Sequence, residues 1–265
     1  MKRAETKRKL IDDKLERRKM KRRKDADELK VVEGVIDPPT LKILYKLFNR
    51  GVIHELHGAI STGKEANVYR GVDLEGNSVA VKIYRISTAE TNWMREYIVG
   101  DPRFKRVAKR SRSLIPQWAM KEYKNLIRYH KAGIRVPKPL GIERNVLVME
   151  FIGDEQGLPA PLLRNIELES PVEVFNQLIE MIEQGYKEAS LVHADLSEYN
   201  MLWLDGPVII DVSQAVLKGH TSAGRYLFRD IQNITRYFRK LGVETEDPKV
   251  ITKYILSSGE NSDAV

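Results

Sequence analysis

Three side chains with oxygen donors lie close together in the second half of the sequence. Residues 193–200 read HADLSEYN and contain Asp195 and Asn200, and eleven positions later Asp211 closes the apolar run PVIID. Phosphoryl transfer needs a base that orients a hydroxyl, together with oxygen ligands for Mg²⁺. Since Mg²⁺ keeps several waters and binds phosphate oxygens, one carboxylate and one amide from the protein are sufficient. The spacing predicts Asn200 and Asp211 as metal ligands and leaves Asp195 as the base.

The order of these residues is typical of the catalytic loop of protein kinases, H-R-D-x-x-x-x-N, with Ala194 in place of the arginine. So short a pattern also occurs by chance in surface loops, and segments upstream must decide the interpretation. Residues 60–71, ISTGKEANVYRG, align with the glycine-rich hairpin of kinases. Residues 79–82, VAVK, form an apolar run that ends in Lys82, as the third strand of kinases does.

The hairpin and the strand predict the phosphate contacts. Gly63 takes the place of the second kinase glycine, whereas Ser61 and Ala66 stand where glycines are usual. Small residues still let the backbone approach phosphates, so we expect ATP contacts from Ser61, Gly63 and the adjacent Lys64. Lys82 is expected to bind the α and β phosphates. A lone lysine at a strand end is usually just solvated, and the complete motif set favours the phosphate role.

A second phosphate-binding pattern overlaps the hairpin. Residues 58–64, GAISTGK, nearly match the P-loop pattern GxxxxGK[ST], but Glu65 follows where a hydroxyl should bind Mg²⁺. The next residues, ANVYRG, alternate like a strand and do not open a helix on a phosphate. The P-loop interpretation is therefore rejected.

A helix is predicted from Pro116, which suits a first turn, to a stop at Gly133. Glu122 lies within it and is the expected partner of Lys82, as in the small lobe of kinases. The alternative is a solvated glutamate on a surface helix.

After this helix, residues 136–153 indicate two strands with a turn at 143–145, followed by a crossover between lobes. We expect backbone groups of Glu150 and Ile152 to face adenine there, with Met149 behind it.

The segments STGKEANVY, MEFIG, HADLSEYN and IIDVSQAV together resemble the RIO family of atypical serine protein kinases, and STGKEA with DLSEYN resembles its type-one branch in a compact, archaeal-like form. The resemblance covers residues 35–256. It implies an α+β, bilobal kinase-like fold without the activation segment and peptide-binding subdomains of ordinary kinases. It also implies ATP with Mg²⁺ or Mn²⁺, autophosphorylation on serine, and a role in maturation of the small ribosomal subunit.

The resemblance also assigns roles position by position. Asp195 becomes the catalytic aspartate, Asn200 and Asp211 the metal ligands, and Lys82 the phosphate-binding lysine. A carboxylate beside the γ-phosphate can itself be the nucleophile, as in ATPases that form an aspartyl-phosphate. The RIO family implies such a covalent intermediate, which makes Asp211 a second catalytic residue.

Charge is distributed unevenly along the chain. Residues 1–30 hold 14 Lys/Arg against 7 Asp/Glu, so they account for nearly all of the formal net charge of +8. Residues 103–112, RFKRVAKRSR, hold six basic residues and no acidic one. Such segments suit contacts with the phosphates of ribosomal RNA, driven by counterion release. The alternative is a solvated arm that has no partner.

Composition limits the function classes. The sequence lacks cysteine, so thiolate catalysis, disulfides and cysteine metal sites are excluded. It has no apolar run of membrane-spanning length and no signal peptide, so we expect a cytoplasmic protein with no membrane partner.

The expected organisation has five parts. They are a basic arm (1–30), a helical extension (31–48), a small lobe (49–149) with an inserted mobile loop near 88–113, a large lobe (150–256) and a disordered tail (257–265). Ser111 and Ser113 in the insertion are candidate autophosphorylation sites.

Two other function classes compete with the protein kinase. A small-molecule phosphotransferase of the aminoglycoside or choline kinase type shares HxDxxxxN and a downstream aspartate, but STGKEA and the basic arm argue against it. A non-catalytic ribosome-binding scaffold could use ATP as a structural ligand, but Lys82, Asp195, Asn200 and Asp211 are all intact.

Overall fold

The computed structural model describes residues 36–86 and 91–260. The basic arm 1–30, residues 31–35 of the extension, part of the insertion and the last five residues lie outside these ranges. Within them no helix is both long and apolar enough to cross a lipid bilayer.

The small lobe is built on a five-stranded antiparallel sheet with strand order β1-β2-β3-β5-β4. Its elements are α1 Pro38–Asn49, β1 Glu55–Thr62, β2 Ala66–Val72, β3 Ser78–Tyr84, α2 Asn92–Glu96, α3 Ser111–Lys131, β4 Pro139–Glu143 and β5 Val146–Glu150. The β4–β5 turn falls within the predicted 143–145. The hairpin from β1 to β2 confirms that GAISTGK is part of a strand and turn, not of a P-loop.

Helix α1 is the described part of the predicted helical extension. Its N-terminus is capped by Asp37, whose Oδ1 accepts a hydrogen bond from the Thr40 N–H at 3.1 Å, and prolines occupy its first turn. Leu44 and Leu47 are completely buried against the sheet. The small lobe therefore has its own apolar core between α1 and the sheet.

The described part of the insertion is packed and partly helical, so the predicted loop is wrong there, whereas its mobility stays a prediction. Met94 in α2 and Ile98 after it are buried against Trp118 of α3. Apolar burial of this kind stabilises the segment against the small lobe.

Helix α3 begins at Ser111, so its predicted start at Pro116 was wrong. Pro116 lies inside the helix, where its missing N–H leaves one backbone carbonyl without its helical donor. Leu114 and Ile115 in the added turn are buried. Their burial offsets the lost hydrogen bond, which a sequence rule for helix starts does not include.

The large lobe is mainly helical. Its elements are a 3₁₀ turn Leu163–Asn165, α4 Pro171–Lys187, β6 Leu191–Val192, β7 Met201–Trp203, β8 Pro207–Ile209, β9 Val216–Leu217, α5 Ala223–Lys240 and α6 Pro248–Glu260. Helix α6 continues past the expected end of the lobe at residue 256, so the tail predicted for 257–265 begins too early. Ile255 is completely buried, which anchors the last turns of α6.

The chain passes directly from Asp211 to α5. Strand β9 pairs with β6, and a short turn then leads to Ala223. This stretch has no room for the activation segment of ordinary kinases. The expected bilobal, kinase-like α+β fold without that segment is confirmed.

Candidate active site

Lys82 lies on the central strand β3, between Val68 of β2 and Leu147 of β5. Its Nζ is 2.8 Å from Oε1 of Glu122 and 3.0 Å from Oδ1 of Asp211. Burial alone would lower the pKa of Lys82, but the charges of the two carboxylates outweigh it and raise that pKa. The lysine is therefore a permanent cation at the junction of the two lobes.

Glu122 is the α3 residue that holds Lys82. Its side chain is 1% exposed and its second oxygen, Oε2, has no hydrogen-bond partner among the described residues. Burial raises the pKa of Glu122 to about 7, although Lys82 acts in the opposite direction. Glu122 does not line the cleft between the lobes, so it can act on a ligand there only through Lys82.

The catalytic loop brings Asp195 and Asn200 together. The Asn200 Nδ2 donates to the Asp195 carbonyl at 2.7 Å and to its Oδ2 at 3.3 Å, and the Gln214 Nε2 donates to the same Oδ2 at 2.9 Å. Burial and the nearby Asp211 raise the pKa of Asp195. Its Oδ1 accepts no hydrogen bond from any described residue, so that oxygen can take a proton.

Asp230 of α5 binds the backbone of this loop, and its role was not predicted from the sequence. Its two carboxylate oxygens accept hydrogen bonds from the N–H groups of Ala194 at 2.7 Å and Leu196 at 2.9 Å. Ala194 has a φ of 66°, in the left-handed region that a non-glycine residue rarely adopts. Burial raises the pKa of Asp230 to about 7. The sequence did contain a signal for this buried carboxylate, because Asp230 interrupts the apolar face of an amphipathic helix.

Asp211 projects into the cleft from a strained backbone. Its φ is 56°, and its Oδ1 accepts hydrogen bonds from Lys82 and from the Ser213 hydroxyl, the latter at 2.8 Å. Withdrawal from water acts to raise the pKa of Asp211, but the Lys82 charge and both hydrogen bonds lower it overall. Asp211 is therefore a carboxylate at neutral pH.

The predicted metal ligands have free oxygens. Neither Oδ2 of Asp211 nor Oδ1 of Asn200 accepts a hydrogen bond from any described residue. Lys82 and Ser213 bind the other carboxylate oxygen of Asp211, and Asn200 binds Asp195 through its NH₂ group. One carboxylate and one amide oxygen are hard donors of the kind that Mg²⁺ binds. The residues present fit that metal.

A cleft of about 560 Å³ lies between the lobes. The predicted site residues that line it are Ser61, Gly63, Lys64, Lys82, Glu150, Ile152, Asp195, Asn200 and Asp211. Apolar walls that the sequence did not identify come from Ala80, Pro137, Leu202 and Ile210. The cleft combines apolar walls suited to a base with charged groups suited to phosphates.

At the crossover, the Ile152 carbonyl accepts a hydrogen bond from Ala160 N–H at 3.0 Å, whereas the Ile152 N–H has no partner among the described residues. That N–H can donate to a bound base. The side chain of Glu150 instead accepts from the Lys138 N–H at 3.0 Å.

The hairpin turn is tight at Gly63, whose N–H donates to the Ala66 carbonyl at 3.0 Å. A Cβ at this position would lie 3.1 Å from that carbonyl, so glycine suits the turn. Glu65 also lines the cleft, and burial together with Asp211 raises its pKa. Sequence reasoning used Glu65 only to reject the P-loop and missed that it faces the site.

Comparisons with known proteins agree with this geometry. The family model described as the RIO domain matches residues 67–251. RIO-type serine/threonine-protein kinase Rio1 of Haloferax volcanii is 40% identical over 245 residues, covering 91% of this chain and 83% of the relative. Serine/threonine-protein kinase RIO1 of Homo sapiens is 41% identical over 253 residues, covering 92% of this chain and 44% of the human protein.

Among solved structures, the Rio2 kinase-ADP/Mg²⁺-phosphoaspartate complex from Chaetomium thermophilum matches with a TM-score of 0.63 at 23% identity. The match covers 80% of this chain and 64% of that one. At this identity it demonstrates a common fold.

The bilobal fold, the Lys82–Glu122 pair and the Asp195 loop define an ATP-dependent kinase. The RIO-domain model matches residues 67–251, and the Haloferax relative is 40% identical over 91% of this chain. The chain therefore belongs to the RIO family of serine/threonine protein kinases.

Proposed function

We propose that this chain is an autophosphorylating ATP-dependent serine kinase and ATPase that acts in maturation of the small ribosomal subunit. The observation that supports it best is the joint placement of Lys82, Asp195 and Asp211 around one cleft. The short connection from Asp211 to α5 leaves little platform for a peptide, which favours ATP hydrolysis or self-modification over ordinary substrate phosphorylation.

Each residue has a separate role in the proposed reaction. Asn200 and Asp211 would hold Mg²⁺ or Mn²⁺, which neutralises charge on the phosphates when bound. Lys82 binds the phosphates and keeps them beside Asp211. Asp195 orients the attacking hydroxyl and accepts its proton on the free Oδ1, which its raised pKa favours.

Asp211 is also the proposed nucleophile of a covalent intermediate. Its side chain is 47% exposed, and the carboxylate oxygen that does not hold the metal can attack the γ-phosphorus. The new bond joins that oxygen to phosphorus while the bond to the ADP oxygen breaks, so ADP leaves and an aspartyl-phosphate remains. Water then releases phosphate. The phosphoaspartate in the related Rio2 structure supports this route.

Hydroxylamine cleaves the acyl phosphate of an aspartate but not the phosphate ester of a serine, and this difference provides the test. After incubation with ATP and Mg²⁺, we expect a hydroxylamine-labile phosphate on the wild-type protein that Asp211→Asn abolishes. Asp205→Asn, an exposed aspartate with a similarly positive φ, is the matched control and should keep it. If all incorporated phosphate survives hydroxylamine and maps to serine, the covalent route is wrong and a plain serine kinase remains.

The proposed partners are the immature small subunit and its RNA, contacted by residues 1–30 and by residues 103–112, in the cytoplasm. Ser111 and Ser113 stay proposed autophosphorylation sites, and the Ser111 hydroxyl lies 3.0 Å from that of Thr91. ATP turnover measured with and without purified immature subunits tests the partner. A screen of small alcohol acceptors tests the competing small-molecule phosphotransferase.

A further inference from the structure

Lys121, next to Glu122 on α3, is completely buried yet has no carboxylate within ion-pair distance among the described residues. Its Nζ donates hydrogen bonds to the carbonyl oxygens of Ser213 at 2.8 Å and Ala215 at 2.5 Å. Burying an amine in this way is costly unless its hydrogen bonds are satisfied. Its Nζ also lies 5.3 Å from the ring centroid of Trp118, but both of its hydrogen bonds are to the segment that follows Asp211.

Asn125 lies one helical turn further along α3, on the same face. Its Nδ2 donates to the carbonyls of Val212 at 2.8 Å and Ala215 at 3.0 Å. Two side chains of one helix therefore bind three backbone carbonyls within residues 212–215. We name Lys121 and Asn125 together the α3 clamp.

The orientation of the Asn125 amide is itself fixed from the insertion. The Arg103 Nη1 donates to Asn125 Oδ1 at 2.8 Å, so the Asn125 NH₂ group must face the 212–215 backbone. Arg103 is held in turn by Asp101, with Nη2 2.6 Å from Oδ2. The chain of contacts runs from the basic segment through α3 to the residues beside Asp211.

We propose that Lys121 and Asn125 are positioning residues that hold Asp211 in its metal-binding geometry. Asp211 has a left-handed backbone that persists only where surrounding contacts over-determine it. The α3 clamp supplies such contacts on the carbonyl side, and Ser213, inside the clamped segment, bonds the Asp211 carboxylate. Because Glu122 of the same helix holds Lys82, α3 fixes the phosphate-binding cation relative to the metal ligand.

A merely structural role for the α3 clamp would lower stability without changing the metal requirement selectively. The experiment therefore compares Lys121→Met and Asn125→Leu, which keep similar volume and remove the donors, with Lys131→Met, an exposed lysine of the same helix. Two quantities are measured: the Mg²⁺ concentration that half-saturates ATP binding, and the affinity for adenosine, which needs no metal. A third measurement, the hydrogen exchange of amides 212–217, is made on nucleotide-free protein and therefore does not depend on any ligand.

In both clamp variants we expect the half-saturating Mg²⁺ concentration to rise about tenfold, the lower end for residues that orient a metal ligand. Adenosine affinity should match the wild type, because adenosine binding does not use the metal. Amides 212–217 should exchange faster, and Lys131→Met should match the wild type. Arg103→Met removes the hydrogen bond that orients Asn125 but leaves the donors of Asn125 in place. It should therefore raise the half-saturating Mg²⁺ concentration by a smaller factor. This variant also serves as the test if Lys121→Met does not fold.

An unchanged Mg²⁺ requirement in folded Asn125→Leu, or unchanged exchange at 212–217, overturns the proposal. Equal weakening of Mg²⁺ and adenosine binding also overturns it, because that pattern indicates general destabilisation. The proposal rests on Mg²⁺ binding at Asp211. If the wild-type protein itself binds ATP without any Mg²⁺ dependence, the proposed function fails, while the exchange measurement still tests the clamp.

Discussion

Lys82 and Asp211 are 129 residues apart in sequence, yet the Lys82 Nζ lies 3.0 Å from Oδ1 of Asp211. This ion pair joins the central strand of the small lobe to the segment of the large lobe that holds the proposed metal ligand Asp211. The same Nζ also bonds Glu122 at 2.8 Å, so one cation serves two carboxylates. Changing Lys82 should therefore affect both the stability of the protein and the placement of the proposed phosphate-binding and metal-binding groups.

Lys82→Met should abolish measurable phosphate transfer, because the phosphates lose their cation. It should also lower the free energy of unfolding by about 1–3 kcal/mol at neutral pH, since the buried Glu122 carboxyl loses its hydrogen-bond partner. Urea denaturation and ATP turnover measure the two effects.

The double variant Lys82→Met/Glu122→Gln separates stability from chemistry. Replacing the unpaired carboxyl with an amide should restore part of the lost stability while activity stays absent. Recovery of turnover in the double variant would contradict the role assigned to Lys82.

Glu122 predicts a pH dependence of stability. Its pKa is raised from 4.5 to about 7, so between these values the folded protein holds a proton that the unfolded chain has released. Unfolding then releases a proton, so stability falls as pH rises through this window. Glu122→Gln should reduce that fall between pH 5 and 7.5 in urea titrations, and the part due to Asp230, whose pKa is also raised to about 7, should remain. A fall of equal size in both proteins would show that Glu122 is already ionised at pH 5.

Much of this site was predictable because its motifs are local. Asp195 and Asn200 lie within one loop, and Gly63 lies within one hairpin, so fixed spacing along the chain predicts their placement. Lys82 with Glu122 was predictable for another reason. Their roles follow from the order of elements in kinases, which the RIO motifs indicate.

What the sequence did not predict depends on contacts between distant segments. Asp230 accepts hydrogen bonds from residues 34 and 36 positions earlier, and Lys121 binds carbonyls more than 90 positions later. No spacing rule links such pairs. The start of α3 was missed for the same reason, because burial of Leu114 and Ile115 depends on the packed insertion.

Asp230→Asn tests how the catalytic loop is supported. An amide has one oxygen, so either the Ala194 or the Leu196 N–H loses its acceptor, at a cost of about 1–3 kcal/mol. The displaced loop should lower kcat on the order of 10²-fold. ATP affinity should change little, because Asp230 does not line the cleft.

Thr235→Val is the matched control on the same helix. The Thr235 hydroxyl is buried without a partner in the described structure, so its removal should leave both stability and kcat near the wild type. If Asp230→Asn behaves like this control, the two backbone hydrogen bonds do not position Asp195.

Asp195→Asn tests the base directly. The amide keeps the size of the side chain and one oxygen for the hydrogen bonds from Asn200 and Gln214, but it cannot accept the proton. Autophosphorylation should fall about 10² to 10⁴-fold while ATP still binds. Asp205→Asn should retain full activity, and an unchanged rate in Asp195→Asn would remove Asp195 from the mechanism.

The basic arm predicts a salt dependence. If residues 1–30 contact RNA phosphates, replacing the basic residues of 17–24 by glutamine should weaken binding to ribosomal RNA and flatten the plot of log K against log salt. The expected loss of slope is roughly 0.7–0.9 per lost phosphate contact, because each contact releases condensed counterions. ATP affinity should not change, since the described cleft is built from residues 60–214. Replacing Lys105 and Arg106 by glutamine separates the contribution of the insertion from that of the arm. An identical slope after the arm substitution would mean that the arm makes no phosphate contact.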